Sequence, residues 1–219
     1  FITEMDLIFC HNDIDVLYYT GLTGVRAELL PSVMITDGID KRVDKLVDHY
    51  NDIHSTFSHI QRDIILGGNW VRDYGGFDSY QVGLEISDDI TAVTTGRMKP
   101  EEEQVVKHLP WMLWKEWINE LSTFKYGVQL GTASAGTFNL NCSFHGIPCV
   151  GYSNVNTQNI LHPLTTVEVG DMDNAKHIAN KLKDKKFYDL CVDTTLKRYE
   201  SFYTEKVFVK HWNRIWDEK

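Results

Sequence analysis

Five short apolar runs, each closing on glycine or polar residues and each followed by helix-compatible sequence, constrain this chain more than any other feature. They are "DIILGG" (63–68), "DITAVTTGR" (89–97), "YGVQLGTA" (126–133), "PCVGY" (148–152) and "TTVEVG" (165–170). Short apolar runs bounded by turn residues read as strands, and strands alternating with helices at this spacing imply right-handed βαβ units. The expected fold class is α/β, a mainly parallel sheet with helices on both faces and a helical C-terminus.

Ahead of these runs, "DLIFCHN" (6–12) reads as a strand, followed by a short helix through Leu17 and Tyr18 and an extended "RAELLPSVM" (26–34). The stretch from Thr36 to Phe57 is polar, with only a weak helical period, and is the natural place for a linker. The expected organisation is therefore 1–40, a linker at 41–60, and a larger unit over 61–219. Within the larger unit, "DSYQVGLEIS" suits a helix with Asp78 or Ser79 near its start. Pro100 suits the first position of the next helix. Asp171 or Asp173 can cap "NAKHIANKLKD". At the end, Phe208, Trp212, Ile215 and Trp216 fall at i, i+4, i+7 and i+8, one apolar helix face.

With 22 Lys and Arg against 31 Asp and Glu, the formal charge is −9. That argues against nucleic acid as a partner, because a phosphate backbone needs a basic surface. No apolar run approaches a membrane span and no signal segment opens the chain, which points to the cytoplasm. The first residue is Phe1, so the sequence reads as beginning inside a longer protein. Cys10, Cys142, Cys149 and Cys191 form no CxxC pair and read as buried reduced thiols.

Chemistry concentrates in "GTASAGTFNLNCSFHGIPCVGY" (131–152). On a helix beginning near Ser134, the residues Ser134, Thr137, Asn141 and His145 share one face. Small residues leave the first-turn amides accessible, and the helix dipole adds partial positive charge there. Gly136 would let a ligand approach the main chain, while the hydroxyls of Ser134 and Thr137 would cap the helix or bond an anion. Gly146 suits the helix end, and Pro148 forbids its continuation. The pattern fits a phosphate site at a strand-to-helix turn; it fits equally a capped helix with small residues for packing.

Two further loops follow strands. "LGGNWVRDYGG" carries Gly67, Gly68, Asn69 and Arg72, a glycine-containing loop with a counter-charge for phosphate. "NVNTQNILHP" (154–163) offers Asn156, Thr157 and Gln158 to sugar hydroxyls. Three such loops at the carboxyl ends of parallel strands would converge on one crevice.

In this order the motifs resemble the carboxyl-terminal, donor-binding half of GT-B-fold glycosyltransferases, a Rossmann-like domain. In that family a glycine-containing loop follows the first strand, and a later turn and helix end in Gly-x-Pro; Gly136, Asn141, Gly146 and Pro148 occupy the latter pattern here. "LLPSVMITDGIDKRV" (29–43) resembles the passage between the family's two domains. "VKHLPWMLWKEWINELSTFKYGVQL" resembles its base-holding segment. The resemblance implies that 1–40 is the tail of an acceptor-side domain and that 61–219 binds a nucleotide-sugar, UDP being the first guess, with no metal or further cofactor. Many retaining members carry two acidic residues at the turn, where this chain has Ala133 and Asn141. The resemblance further implies, as partners, a carbohydrate or other acceptor and either a homodimer or a missing N-terminal domain over the terminal apolar face.

Individual residues have competing readings. Arg97 ends the run at 89–97 and would meet the donor phosphates or form a surface ion pair. His11 would face the cleft between domains or sit in an ordinary loop. His54 and His59 are too poorly spaced for a metal pair. His145 reads as a helix terminator. Trp111, Trp114 and Trp117 read as one packed helical stripe in preference to a sugar-stacking platform, with Trp111 beside Pro110 the one placed to flank the base, and Glu101, Glu102 and Glu103 read as a solvated first turn. The expected function is a nucleotide-sugar-dependent glycosyltransferase, or its donor-binding part, with no catalytic base identified. The alternatives are a non-catalytic nucleotide-binding module needing a partner chain and a nucleotide-sugar epimerase of the same architecture.

Overall fold

The computed structural model describes residues 2–39, 41, 62–93, 98–134 and 136–217. Near the N-terminus, strand β1 (Ile8–Cys10), helix α1 (Asp13–Thr23) and strand β2 (Ala27–Leu29) form one parallel βαβ unit, with Ile8 opposite Ala27. The linker expected at 41–60, and with it His54 and His59, falls almost wholly outside the described residues.

The larger unit is a six-stranded, all-parallel sheet. Its strands are β3 (Arg62–Leu66), β4 (Ile90–Ala92), β5 (Lys107–His108), β6 (Phe124–Gln129), β7 (Cys149–Tyr152) and β8 (Thr166–Val167), in the order β5-β4-β3-β6-β7-β8. Each expected run supplies one of these strands. Sheets covered on both faces need apolar side chains at consecutive positions. In β3, Ile64 and Leu66 enter one core cluster with Val82, Tyr126 and Val128, while Ile65 enters another with Phe124, Phe138 and Cys142. Burying each of these aliphatic chains stabilises the fold by about 1.5–3 kcal/mol.

The helices between strands are α2 (Gly76–Gly83), α3 (Pro100–Val105), α4 (Trp114–Leu121), α5 (Thr137–Phe144), α6 (Asn156–Leu161) and α7 (Met172–Lys181). Pro100 opens α3 as expected, and the Asp171 carboxylate caps α7 by accepting from the Asn174 N–H at 3.1 Å. Helix α2 begins at Gly76, two residues before Asp78. The tryptophan stripe is a correction. Helix α4 starts only at Trp114, so Trp111 lies ahead of it and is 80% exposed. Trp114 donates its indole N–H to the Ile35 carbonyl at 3.0 Å, and of the three only Trp117 packs against the core.

Two helices close the chain, α8 (Lys185–Phe202) and α9 (Glu205–Asp217). Helix α9 returns to the first unit: Trp212 stacks on Phe9 with centroids 5.5 Å apart, and Glu205 accepts from the Thr36 N–H at 2.9 Å. Of its expected apolar face, Ile215 is fully buried, while Trp212 and Trp216 remain exposed. All four cysteines are free and buried. Among the described residues, no helix is long and apolar enough to cross a membrane.

Candidate functional site

The chain builds the sheet outward in one direction from β3 to β5 and in the other from β6 to β8. Where the order reverses, between β3 and β6, lies the place at which open α/β sheets bind ligands outside the carboxyl ends of their strands. The three loops expected to converge do so here. The N–H groups of Thr132 and Ala133 donate to the Asp73 carbonyl at 3.0 and 3.1 Å. Ser79 donates its hydroxyl to the Gly75 carbonyl at 2.6 Å and accepts from the Leu130 N–H at 2.9 Å. Asn154 donates to the Thr132 carbonyl at 2.9 Å.

Within this framework the candidate residues separate into two groups. Several are structural. A Cβ at Gly67 would sit 2.7 Å from the Phe138 ring, and Gly68 adopts a left-handed φ of 98° with its Cα face against the Tyr74 carbonyl. Asn69 is fully buried and accepts the Val71 N–H at 3.0 Å. Asn141 is oriented to donate to the Thr137 carbonyl at 3.1 Å and to accept the Trp117 indole N–H at 3.0 Å. Gln158, expected to orient a sugar, is fully buried instead. Its amide donates to the Cys149 carbonyl at 2.9 Å and its oxygen accepts from Asn139 at 2.7 Å. Thr157 is buried against Gly136. Gln158 and Thr157 therefore pack α6 against α5 and β7, and Asn141 ties α5 to Trp117 of α4.

The expected helix start at Ser134 is also corrected. Gly136 has a left-handed φ of 75°, which ends the turn and puts the first helical residue at Thr137. Ser134 stays outside the helix, where its hydroxyl accepts the Gly136 N–H at 3.0 Å. This occupies the Gly136 amide expected to face phosphate. The first-turn amides of α5, beginning with Thr137, are those without an intrahelical acceptor.

The remaining candidates reach open space. Ala133 and Ser134 line a cleft of about 420 Å³ whose opposite wall is the β1–α1 turn, with His11 and Asn12, and the first turn of α1, with Asp15. His11 thus faces the cleft. Asn156 joins the walls, its N–H donating to Asn12 Oδ1 at 3.2 Å. Arg72 is exposed and lines a second depression of about 440 Å³ beside Gly75, Gly76, Lys99, Trp70 and Phe77. Arg97 lies outside the described residues.

Three polar atoms near the crevice, Gln129 Oε1, Asn154 Oδ1 and Thr157 Oγ1, are buried without a hydrogen-bond partner, a condition proteins rarely tolerate. Among the described residues, no three His, Cys, Asp or Glu side chains are grouped to hold a metal ion.

Glu102 departs most from expectation. It is 1% exposed, not solvated. One carboxylate oxygen meets His108 Nε2 at 3.0 Å and the other accepts the Trp70 N–H at 3.0 Å, so a residue of α3 anchors the loop after β3. His145 ends α5 as expected, buried with Nε2 at 2.8 Å from the Ile118 carbonyl. In the cleft wall, burial and then the Asp15 carboxylate push the Cys10 thiol up from its ordinary value.

No protein-family model matches the chain, and no curated protein sequence does either. Solved structures match its fold. Sucrose-phosphate synthase from Thermosynechococcus elongatus superposes with a TM-score of 0.73 at 10% identity, over 99% of this chain and 59% of that one. WaaG, a glycosyltransferase involved in lipopolysaccharide biosynthesis, gives 0.69 at 9%, over 94% and 60%. Anabaena HepE in complex with UDP-glucose gives 0.67 at 9%, over 97% and 64%. The fold is that of GT-B glycosyltransferases, Rossmann-like with a parallel sheet between helices. The chain spans about three-fifths of the length of these neighbours.

Proposed function

We propose that this chain binds a nucleoside diphosphate sugar at the reversal point of its sheet and is the donor-binding part of a glycosyltransferase. The observation that carries this reading is the meeting of the loops after β3 and β6 where the strand order turns, the place open α/β sheets use for ligands. HepE, with the same fold, is described in complex with UDP-glucose, which makes UDP the first nucleotide to test.

In glycosyl transfer the bond from the anomeric carbon to the diphosphate oxygen breaks, and the acceptor hydroxyl oxygen bonds to that carbon as its proton passes to a base or to solvent. The diphosphate leaves carrying both bonding electrons, so groups that stabilise its growing charge lower the barrier. The Thr137 amide at the positive end of α5 and the Arg72 guanidinium supply that stabilisation in this reading. The Gly136 amide, satisfied by Ser134, steadies the turn. Asn156 orients the sugar. No metal and no other cofactor takes part, so EDTA leaves nucleotide affinity unchanged.

Calorimetric titration with UDP, then with GDP, ADP, CDP and dTDP, tests the reading. Saturable binding of one of them supports it, and no binding of any at millimolar concentration overturns it. A labelled nucleotide-sugar then separates the transferase from its alternatives. Transfer to an added acceptor marks the transferase, binding without turnover marks a nucleotide-binding module, and an epimer as product marks an epimerase.

A further inference from the structure

We infer that the β1–α1 turn and the first turn of α1 form the sugar-recognising wall of this site: His11 and Asp15 hold hydroxyls of a neutral hexosyl group across the cleft from the 132–134 turn. The inference rests on the nucleotide-sugar reading above and adds to Asn156 a second set of residues that distinguish the sugar from its diphosphate.

Charge is the first argument. None of the described residues lining the 420 Å³ cleft is Lys or Arg, whereas Asp15 lines it and Asp13 lies beside it in the first turn of α1. A diphosphate would meet only anions and uncharged groups on this wall. Among the described residues, Arg72 and Lys99 line the other depression, with Asp78 and Glu101 beside them. A neutral polyhydroxylated group suits the cleft, and the anionic part of the same ligand suits the far side of the turn.

Hydrogen-bond geometry is the second. His11 Nδ1 lies 3.0 Å from the Leu30 carbonyl, which only accepts, so Nδ1 carries the proton. In the neutral ring this leaves Nε2 as an acceptor. Asp15 accepts from Asn12 Nδ2 at 3.0 Å through one oxygen, and its remaining lone pairs are acceptors too. Two acceptors on residues that line the cleft match the O–H donors of a sugar. Asn12 also accepts the Asn156 N–H at 3.2 Å, so one side chain orients Asp15 and fastens this wall to the first turn of α6. Asn12 is a positioning residue.

Paired titrations test this on the whole chain: UDP against UDP-glucose, with ADP against ADP-glucose and GDP against GDP-mannose run beside them. The variants are Asp15→Asn and His11→Asn. The second keeps an amide N–H able to reach the Leu30 carbonyl but has no acceptor at the Nε2 position. For the nucleotide that binds, each variant is expected to weaken the nucleotide-sugar about tenfold while the nucleoside diphosphate stays within about twofold. Thermal melts run on the same samples are expected to be unchanged. If the diphosphate binds normally and both variants leave the nucleotide-sugar affinity intact, this inference fails and the nucleotide-sugar reading stands. Parallel loss of both affinities overturns the inference as well, since the wall would then hold the nucleotide or the fold. Should no nucleotide bind, both readings fall.

Discussion

Gly136 and Thr157 are packed so closely that a Cβ on the glycine would overlap the threonine hydroxyl. Gly136 also holds a left-handed φ of 75°, so both the backbone and the neighbour exclude a side chain. Sequence alone suggests that this glycine opens the turn to a ligand; the structure shows that it lets α6 approach α5.

Gly136→Ala is therefore expected to destabilise the fold, by about 1–2 kcal/mol from the backbone alone, with more from the overlap. A fall in melting temperature of several degrees follows, roughly 2–4 °C per kcal/mol in a chain of this size. Thr157→Ala in the same chain removes part of the overlap, so the double variant should be more stable than the two single losses added together. A double-mutant cycle by chemical denaturation measures that coupling, and strict additivity would contradict the contact.

Glu102 leads to a second prediction. Glu102→Ala strips the partner from both His108 and the Trp70 N–H, and leaving a buried polar group unsatisfied costs about 1–3 kcal/mol. Glu102→Gln keeps an acceptor for one of them and should lose less. Urea denaturation of the three proteins gives the order wild type, Gln, Ala. Because Trp70 lies in the loop that carries Arg72, nucleotide affinity should fall in that order too.

His162 sets a pH limit. Burial lowers its pKa from the ordinary 6.5 to about 4, with the bond to the Asn139 carbonyl opposing the shift. Nε2 donates to that carbonyl at 2.9 Å, while Nδ1 accepts from the Thr195 hydroxyl at 3.2 Å and the Cys149 N–H at 3.3 Å. A proton on Nδ1 would break both of the latter bonds. The unfolded chain binds that proton near pH 6.5 and the folded one only near 4, so the stabilisation is full above pH 6.5. It is lost progressively as pH falls from 6.5 to 4, about 3 kcal/mol in all. Unfolding free energies measured between pH 7.5 and 4.5 should show this slope, and His162→Gln should flatten it.

The sheet was legible because parallel strands buried on both faces leave unbroken apolar runs, as at Ile64, Ile65 and Leu66. The loops at their ends were legible for the same reason, since position along a strand fixes which end of the sheet a loop occupies. The direction of individual polar side chains was not. Gln158 looks like a sugar ligand until β7 brings the Cys149 carbonyl to it. Glu102 looks solvated beside two other glutamates until β5 places His108 against it. In each case the partner comes from another element, and the local period carries no trace of it. His11 was ambiguous for a related reason: only the placement of the β1–α1 turn opposite Ser134 shows that it faces a cleft.

The first unit leads to the last prediction. Helix α1 has no buried residue, and Ile14, Leu17, Tyr18 and Leu22 are each at least 60% exposed along one side of it. Their spacing of i, i+3, i+4 and i+8 is that of a face built to be covered. A two-stranded parallel sheet is also too small to bury its own faces. Covering an apolar helix face removes area worth roughly 25 cal/mol per Å², so in isolation the chain should satisfy this face with a second copy at high concentration. Light scattering from micromolar to millimolar concentration is expected to show reversible self-association. Leu17→Glu with Leu22→Glu should return a monomer, and its melting temperature at low concentration should match wild type because neither side chain is buried within the chain. A wild-type chain that stays monomeric throughout would mean that this face needs no cover.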